Sequence, residues 1–298
     1  MRRALAAAAA LGALVVSTSV VPTRTAAGQP AVEIHRVDEG HFSPVPGTPV
    51  FVLVLGLDGG GDRPGVEGDR SDAMHLIGIN PAAGAGTMLN IPRDAWVAIP
   101  GHGQSRINDA YYYGGAGKAA ETVEALTGAD VAFVLATRFR PFEAMVDELG
   151  GVDVDVPMAM RDADSGADFP QGRAHMDGRA ALAFSRNRHV PGGDVRRTEH
   201  QALFILSGLT KLRAENAGPA GVARYLAVLG RHVGITGIGL VDLYRLGRLA
   251  LTIDPAKVRS ITMPAYAANV GARSVLLVGP AAPALFADLR DDALLQSH

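Results

Sequence analysis

Residues 50–55 form an unbroken apolar run, Val50-Phe51-Val52-Leu53-Val54-Leu55, with no polar side chain alternating through it. A strand exposed on one face would alternate, so this run predicts a strand buried on both faces. Further strands are expected over 73–79 and 86–91, set apart by a glycine-rich loop at 58–65 and by tight Gly and Pro turns. Apolar positions then recur at helical spacing over 114–126, turn strand-like over 131–136, and become helical again over 141–149, where Gly150-Gly151 is a stop signal. Beyond that, residues 182–189 read as extended. A long helix is expected at 198–215, another near 221–233, and strands near 258–263 and 274–278. Alternating strands and helices predict a layered α/β/α domain with a central mixed β-sheet flanked by helices. With no repeat or break in the pattern, residues 50–298 read as a single domain.

The amino terminus follows a different pattern. Met1-Arg2-Arg3 precedes an uncharged run over 4–21, and small and polar residues follow through Thr25-Ala26-Ala27. A basic start, a short apolar stretch and a small-residue site describe a secretory signal, whereas a bilayer anchor needs about 20 apolar residues. Residues 1–27 therefore read as a signal peptide or an N-terminal membrane anchor, and 28–49 as a linker. Either option delivers the domain outside the cytoplasmic membrane, secreted or held at its outer face.

Composition narrows the chemistry. The chain of 298 residues is 48% hydrophobic and 19% charged with a formal net charge of -2, so it can bury a large core and lacks the basic excess of a nucleic-acid binder. With no cysteine, thiol catalysis, thiolate metal sites and disulfides are excluded together. Gly114-Gly115-Ala116-Gly117-Lys118 suggests a phosphate loop, but Tyr112 and Ala119 stand where a Walker A motif needs glycine and a hydroxyl. The nine histidines form no His-Glu-x-x-His pair, and Gly103-Gln104-Ser105-Arg106-Ile107 lacks the last glycine of a nucleophile elbow. Tyr111, Tyr112 and Tyr113 are expected to pack against a helix rather than to form a sugar platform.

Charged residues at strand ends remain: Asp58 after the first strand, Arg70-Ser71-Asp72 before the second, Arg93-Asp94 after the third, then Arg106. Ends of neighbouring buried strands open into a shared crevice, the usual ligand position in α/β sheets. Two carboxylates such as Asp58 and Asp72 can hold a hard cation like Mg2+, which prefers oxygen ligands and bridges phosphates. Arginines concentrate further along, at Arg186, Arg188, Arg196 and Arg197. On an extended segment Arg186 and Arg188 share one face, and on a helix Arg197 and Gln201 lie one turn apart near its positive end. Guanidinium forks onto phosphate in paired hydrogen bonds, so the cluster points to a polyanion or to a dense salt-bridge network.

The same residues stand in strings that resemble the LytR-CpsA-Psr family of extracytoplasmic phosphotransferases. The strings are Arg70-Ser71-Asp72-Ala73-Met74, Ile91-Pro92-Arg93-Asp94, Arg106-Ile107-Asn108-Asp109-Ala110-Tyr111, Glu121-Thr122-Val123-Glu124, Leu149-Gly150-Gly151-Val152-Asp153-Val154-Asp155-Val156-Pro157, Leu182-Ala183-Phe184-Ser185-Arg186-Asn187-Arg188, and Gly193-Asp194 followed by Arg197 and Gln201. They run in family order over about 50–212. The resemblance implies a catalytic domain that transfers a polyprenyl-pyrophosphate-linked glycopolymer of teichoic acid, capsule or arabinogalactan type to a peptidoglycan acceptor and releases polyprenyl phosphate. It also implies an apolar tunnel for the lipid between sheet and helices. By the same resemblance Asp58 and Asp72 are metal-associated, and Arg93, Arg186, Arg188, Arg197 and Gln201 bind pyrophosphate with Arg106 at a basic position beside them. The pattern departs at His200, where an arginine is usual, and at Arg196, where glycine is usual.

Transfer without a conventional nucleophile is physically adequate, because positioning and electrostatic stabilisation carry most of phosphoryl-transfer catalysis. Asp58 or Asp94 can take the proton of the attacking hydroxyl. Two alternatives stay open: a silent protein that binds lipid-linked polymers, and a polyprenyl-pyrophosphatase that uses water as acceptor.

Overall fold

The computed structural model describes residues 30, 32–37, 48–58, 68–215 and 232–296. The expected signal or anchor at 1–27, loop positions 59–67 and most of the helix expected near 221–233 lie outside the described residues.

The strands, in chain order, are β1 (Val32–Arg36), β2 (Val50–Leu57), β3 (Ser71–Asn80), β4 (Ala85–Asn90), β5 (Ala95–Ile99), β6 (Gly103–Arg106), β7 (Val131–Arg138), β8 (Val152–Val156), β9 (Met160–Asp162), β10 (Ala167–Phe169), β11 (Gly172–Met176), β12 (Val233–Thr236), β13 (Val258–Thr262), β14 (Ala265–Val270) and β15 (Arg273–Val278). The helices are α1 (Asp109–Thr127), α2 (Phe139–Glu148), α3 (Gly178–Arg186), α4 (Gly193–Glu215), α5 (Leu240–Thr252) and α6 (Ala282–Asp292). A seven-stranded sheet runs β12-β1-β7-β2-β3-β4-β13 and mixes parallel with antiparallel pairs, as the alternating pattern predicts. A four-stranded sheet, β14-β15-β5-β6, stands beside it.

The continuous apolar run of β2 is explained by its position, paired with β3 on one side and β7 on the other. Successive side chains point to opposite faces of a strand. Phe51, Leu53, Leu55 and Leu57 pack in one cluster with Ala116, Ala119 and Val123 of α1 and with Phe286 and Leu289 of α6. Val50, Val52 and Val54 pack on the other face with Leu209 of α4 and with Leu249 and Ile253 at the end of α5. A third cluster gathers Val152, Val154, Val156, Met176, Phe184 and Phe204 under the β8–β11 and β9–β10 hairpins.

Two expectations are corrected. The stretch 28–49 is not all linker, because β1 lies within it and pairs with β12 and β7 in the interior of the large sheet. Its five residues are too few, and too mixed with Glu33, His35 and Arg36, to stand out beside the run at 50–55. Residues 182–189 are not one extended segment, because α3 runs through Arg186. The Asp177 side chain accepts from Ala180 N at 2.8 Å and caps the helix, which buries Ala181 and Phe184 three residues apart. Gly178 is required there, since a Cβ would stand 2.1 Å from the Glu143 carbonyl oxygen of α2. Arg186 is therefore the exposed last residue of a helix, and Arg188 follows the extended Asn187 rather than alternating with Arg186 along a strand.

Candidate functional site

The turn from β4 to β5 carries Pro92, Arg93 and Asp94, and is closed by Ala95 N donating to the Pro92 carbonyl at 3.0 Å. Strand β3 starts beside it with Ser71 and Asp72, β6 ends on Arg106, and the first turn of α4 brings Asp194 and Arg197. Here the expected crevice closes into a network. Arg93 Nη1 donates to Asp72 Oδ1 at 2.7 Å, while its Nε lies 3.5 Å from Asp194 Oδ1 and 3.9 Å from Asp94 Oδ2. Arg197 Nη2 reaches Asp194 Oδ1 and the Asp72 carbonyl, both at 2.9 Å. Arg188 adds looser contacts, 3.8 Å to Asp72 Oδ2 and 3.6 Å to Asp194 Oδ1. Arg106 pairs with Asp94 at 3.4 Å and donates to the Ser274 carbonyl at 2.7 Å.

Four guanidinium groups thus share three carboxylates in one connected set. Burial works against the Arg93 charge, yet Asp72 and Asp194 outweigh it and raise its pKa above the ordinary arginine value. At Arg197, which is 2% exposed, burial wins and brings the pKa down to about 10, with Arg93 and Arg188 adding to the fall against Asp194. It still carries its charge at neutral pH. Both carboxylate oxygens of Asp194 are buried and none of the arginine contacts is a well-aligned hydrogen bond to them, so their acceptor capacity is unspent.

The other expected residues lie around this core. Asp58 accepts the Arg70 peptide N–H at 2.9 Å and returns its own N–H to the Arg70 carbonyl at 3.0 Å, which fixes it at the end of β2. The Arg70 guanidinium in turn donates to Asp109 at 2.9 Å. Gln201 Nε2 donates to the Ser185 carbonyl at 2.9 Å and ties α4 to the end of α3, while its side chain also meets the buried His75. Arg186 stands at the surface on that helix end.

His200 brings no charge to the site. It is buried with its ring 4.9 Å from that of Phe184, and burial, with Arg196 adding, lowers its pKa to about 4. Nor does Arg196 compensate, because it pairs with Glu199 at 2.6 Å one turn away on the surface of α4. His75 lies beneath the network, its Nδ1 2.9 Å from Asn90 Oδ1, and burial lowers its pKa to about 4 as well.

Sequence reasoning assigned Asp194 no role, although it touches three of the four arginines. Its position in the first turn of a helix, three residues before Arg197, was the available signal. A second omission is a ligand-type group away from the arginines. Among the described residues, Asp162, Asp164 and His189 alone form a set of three such side chains whose ligand atoms lie within 4.8 Å of one another.

A mixed α/β sheet with an arginine–carboxylate network beside its strand ends is the architecture that comparison with known proteins places in one family. The chain belongs to the LytR_cpsA_psr family, whose model matches residues 18–285. A relative from Bacillus cereus (strain AH820), the polyisoprenyl-teichoic acid–peptidoglycan teichoic acid transferase TagU, is 34% identical over 187 residues, 62% of this chain and 59% of the relative. The chain therefore spans well under two thirds of the length of that relative. Among solved structures, B. subtilis TagV superposes with a TM-score of 0.72 at 22% identity over 85% of this chain and all of that one (100%). YwtF (TagT) with bound octaprenyl pyrophosphate lipid does so with a TM-score of 0.64 at 24% identity, covering 87% of this chain and 96% of that one. Likeness at that identity speaks to the fold alone.

Proposed function

We propose that this chain is an extracytoplasmic phosphotransferase that attaches a polyprenyl-pyrophosphate-linked glycopolymer to a peptidoglycan acceptor and releases polyprenyl phosphate. The observation that carries this reading is the arginine network, in which four guanidiniums converge on three carboxylates where the ends of β3, β4 and β6 meet the start of α4. A diphosphate placed there supplies the oxygens that loosely held groups such as Arg188 lack in the bare network. The name of the B. cereus relative and the octaprenyl pyrophosphate held by TagT point to the same substrate class. On the apolar face of β2 and β3 that buries Val52 and Ile79, Val54 and Ile77 together with Leu135, Met145, Leu209 and Leu246 remain partly buried. That composition suits a polyprenyl chain.

In the proposed step a sugar hydroxyl oxygen of the acceptor attacks the polymer-proximal phosphorus. The bond from that phosphorus to the bridging oxygen breaks, and polyprenyl phosphate leaves with the electron pair. Arg93, Arg188 and Arg197 offset the charge that builds on the phosphoryl oxygens and the departing phosphate. Asp58 or Asp94 takes the hydroxyl proton. Arg106 holds Asp94 in place, Gln201 keeps α4 against α3, and Arg186 meets the polymer side of the diphosphate at the rim.

The carboxylates suit a hard divalent cation. Asp58 and Asp72 offer only oxygen, the ligand type Mg2+ prefers. Bound Mg2+ would be held by Asp58 and Asp72 and would neutralise phosphate charge alongside the arginines. The basic start and apolar run over 1–27 support a signal or anchor that would put the site on the outer side of the cytoplasmic membrane, where both substrates are met. Among the described residues no helix is long and apolar enough to cross a membrane.

The test incubates the purified protein with Mg2+, a polyprenyl-pyrophosphate sugar and soluble peptidoglycan fragments. A phosphodiester-linked acceptor product with released polyprenyl phosphate is expected, and chelation should suppress both. Phosphate release without acceptor product would replace the reading by hydrolysis, and binding without turnover would replace it by a silent carrier.

A further inference from the structure

Helix α1 opens with three consecutive tyrosines that behave differently. Tyr111 packs against the main core, whereas Tyr112 and Tyr113 are 43% and 40% exposed and stand among the few large apolar side chains left in solvent. They are nonetheless ordered by their neighbours. His102, from the turn before β6, stacks on Tyr113 with ring centroids 4.2 Å apart and planes 8° from parallel, and Tyr112 meets Tyr113 edge-on at 5.6 Å. The Arg70 guanidinium lies over the Tyr112 ring at 5.3 Å while it is bonded to Asp109.

The helix is broken immediately after the pair. Gly114 and Gly115 leave helical geometry, and Gly115 has φ 62 and ψ -151, a conformation open essentially to glycine alone. A Cβ at residue 115 would meet nothing within 4 Å, so what glycine supplies there is backbone conformation and not space. The break ends the first turn at Tyr113 and leaves the two rings outside the face that α1 buries.

We propose that His102, Tyr112, Tyr113 and Arg70 form a stacking platform for the saccharide of the peptidoglycan acceptor. This rests on the transferase reading above. The C–H face of a pyranose is apolar and lies flat on an aromatic ring, while its rim hydroxyls find the tyrosine hydroxyls and the guanidinium. Continuity with the charge network selects the acceptor over the polymer. Arg70 is shared, its side chain covering Tyr112 while its peptide group is doubly bonded to Asp58, one of the two carboxylates proposed to take the acceptor proton. Asp109, which holds Arg70, also accepts from Ser105 near the end of β6, the strand that finishes on Arg106, so the platform and the charge network are tied to the end of one strand. A glycan lying on the tyrosines therefore presents a hydroxyl toward Asp58.

The experiment titrates the full protein with a soluble tetrasaccharide of alternating N-acetylglucosamine and N-acetylmuramic acid, and separately with octaprenyl pyrophosphate, for wild type, Tyr112→Ala/Tyr113→Ala and Tyr112→Phe/Tyr113→Phe. The alanine pair should weaken saccharide affinity about tenfold or more, the phenylalanine pair should restore it to within about threefold, and lipid affinity should not change. Unchanged saccharide affinity in the alanine pair overturns the platform, and so does an equal loss of lipid affinity. Tyrosine-dependent saccharide binding in a protein that yields no transferred product would uphold the platform while the transferase reading fails.

Discussion

Two sets of ion pairs on this molecule use the same residue types in different ways. On the β8–β11 and β9–β10 hairpins, Asp153 takes Arg173 and His175 while Asp168 takes Arg161, all largely in water, with side-chain exposures of 79% and 48% for Arg173 and Asp153 and 86% and 72% for Arg161 and Asp168. Where β3 starts and α4 begins, Asp72 is shared by two guanidiniums and Asp194 by three, and Arg197 is 3% exposed at its side chain. Exposed pairs contribute little because water screens them. Buried groups of unequal number are costly unless an anion completes them. The contrast separates solvated surface pairs from the buried network proposed to hold the diphosphate.

Removing the most connected member should break that contrast most sharply. Arg93→Ala leaves Asp72, Asp94 and Asp194 short of their common partner and should lower transfer by about 10³-fold or more, the range for a transition-state arginine. Product release from the lipid-linked donor measures it, with a thermal melt to confirm folding. Arg188→Ala, at a half-exposed position with long contacts, should cost about 10²-fold while leaving the melt unchanged. Turnover at the wild-type level in either variant would remove the site assignment.

Acid should act through the buried histidines rather than through the surface pairs. His75 and His200 titrate near 6.5 when unfolded and near 4 in the fold, because burial disfavours their charged forms. Between those values the unfolded chain holds more protons, so stability is fully present above about pH 6.5 and falls as pH drops toward 4. The loss from pH 7 to 5 should be on the order of 2 kcal/mol per histidine, read as a fall in melting temperature. His200→Phe, which replaces two unpartnered ring nitrogens by an apolar ring, should remove about half of that fall. A pH-independent melting temperature would contradict the neutral buried state. Asp153→Ala on the exposed hairpin should change neither transfer nor melting temperature, and a clear loss of either would erase the distinction between the two sets.

The same contrast explains what the sequence could reveal. The run at 50–55 announces its strand because both faces are buried and no polar position interrupts it. The arginines are noticeable by density alone, and the strand-end positions of Arg93, Asp94 and Arg106 follow from the strands before them. Asp194 gives no such sign, since its importance comes from three arginines reaching it from separate elements. The extended reading at 182–189 failed for a local reason, because a short run of Ala, Leu and Phe suits either geometry and the Asp177 cap with the Gly178 contact decides it. The exposure of Tyr112 and Tyr113 depends on a backbone break that the Gly-Gly pair permits without specifying.

The placement of β1 has a consequence for how the chain becomes a folded domain. This early strand lies between β7 and β12, and its last residue, Arg36, is bonded to Asp242, which lies 206 positions away. The large sheet stays unfinished until almost the whole polypeptide is present, and contacts so distant in sequence form slowly. Were the chain exported as an extended thread, as its amino-terminal pattern suggests, it would emerge on the far side of the membrane before its scaffold closes, and the arginine network would then assemble at the destination rather than in the cytoplasm.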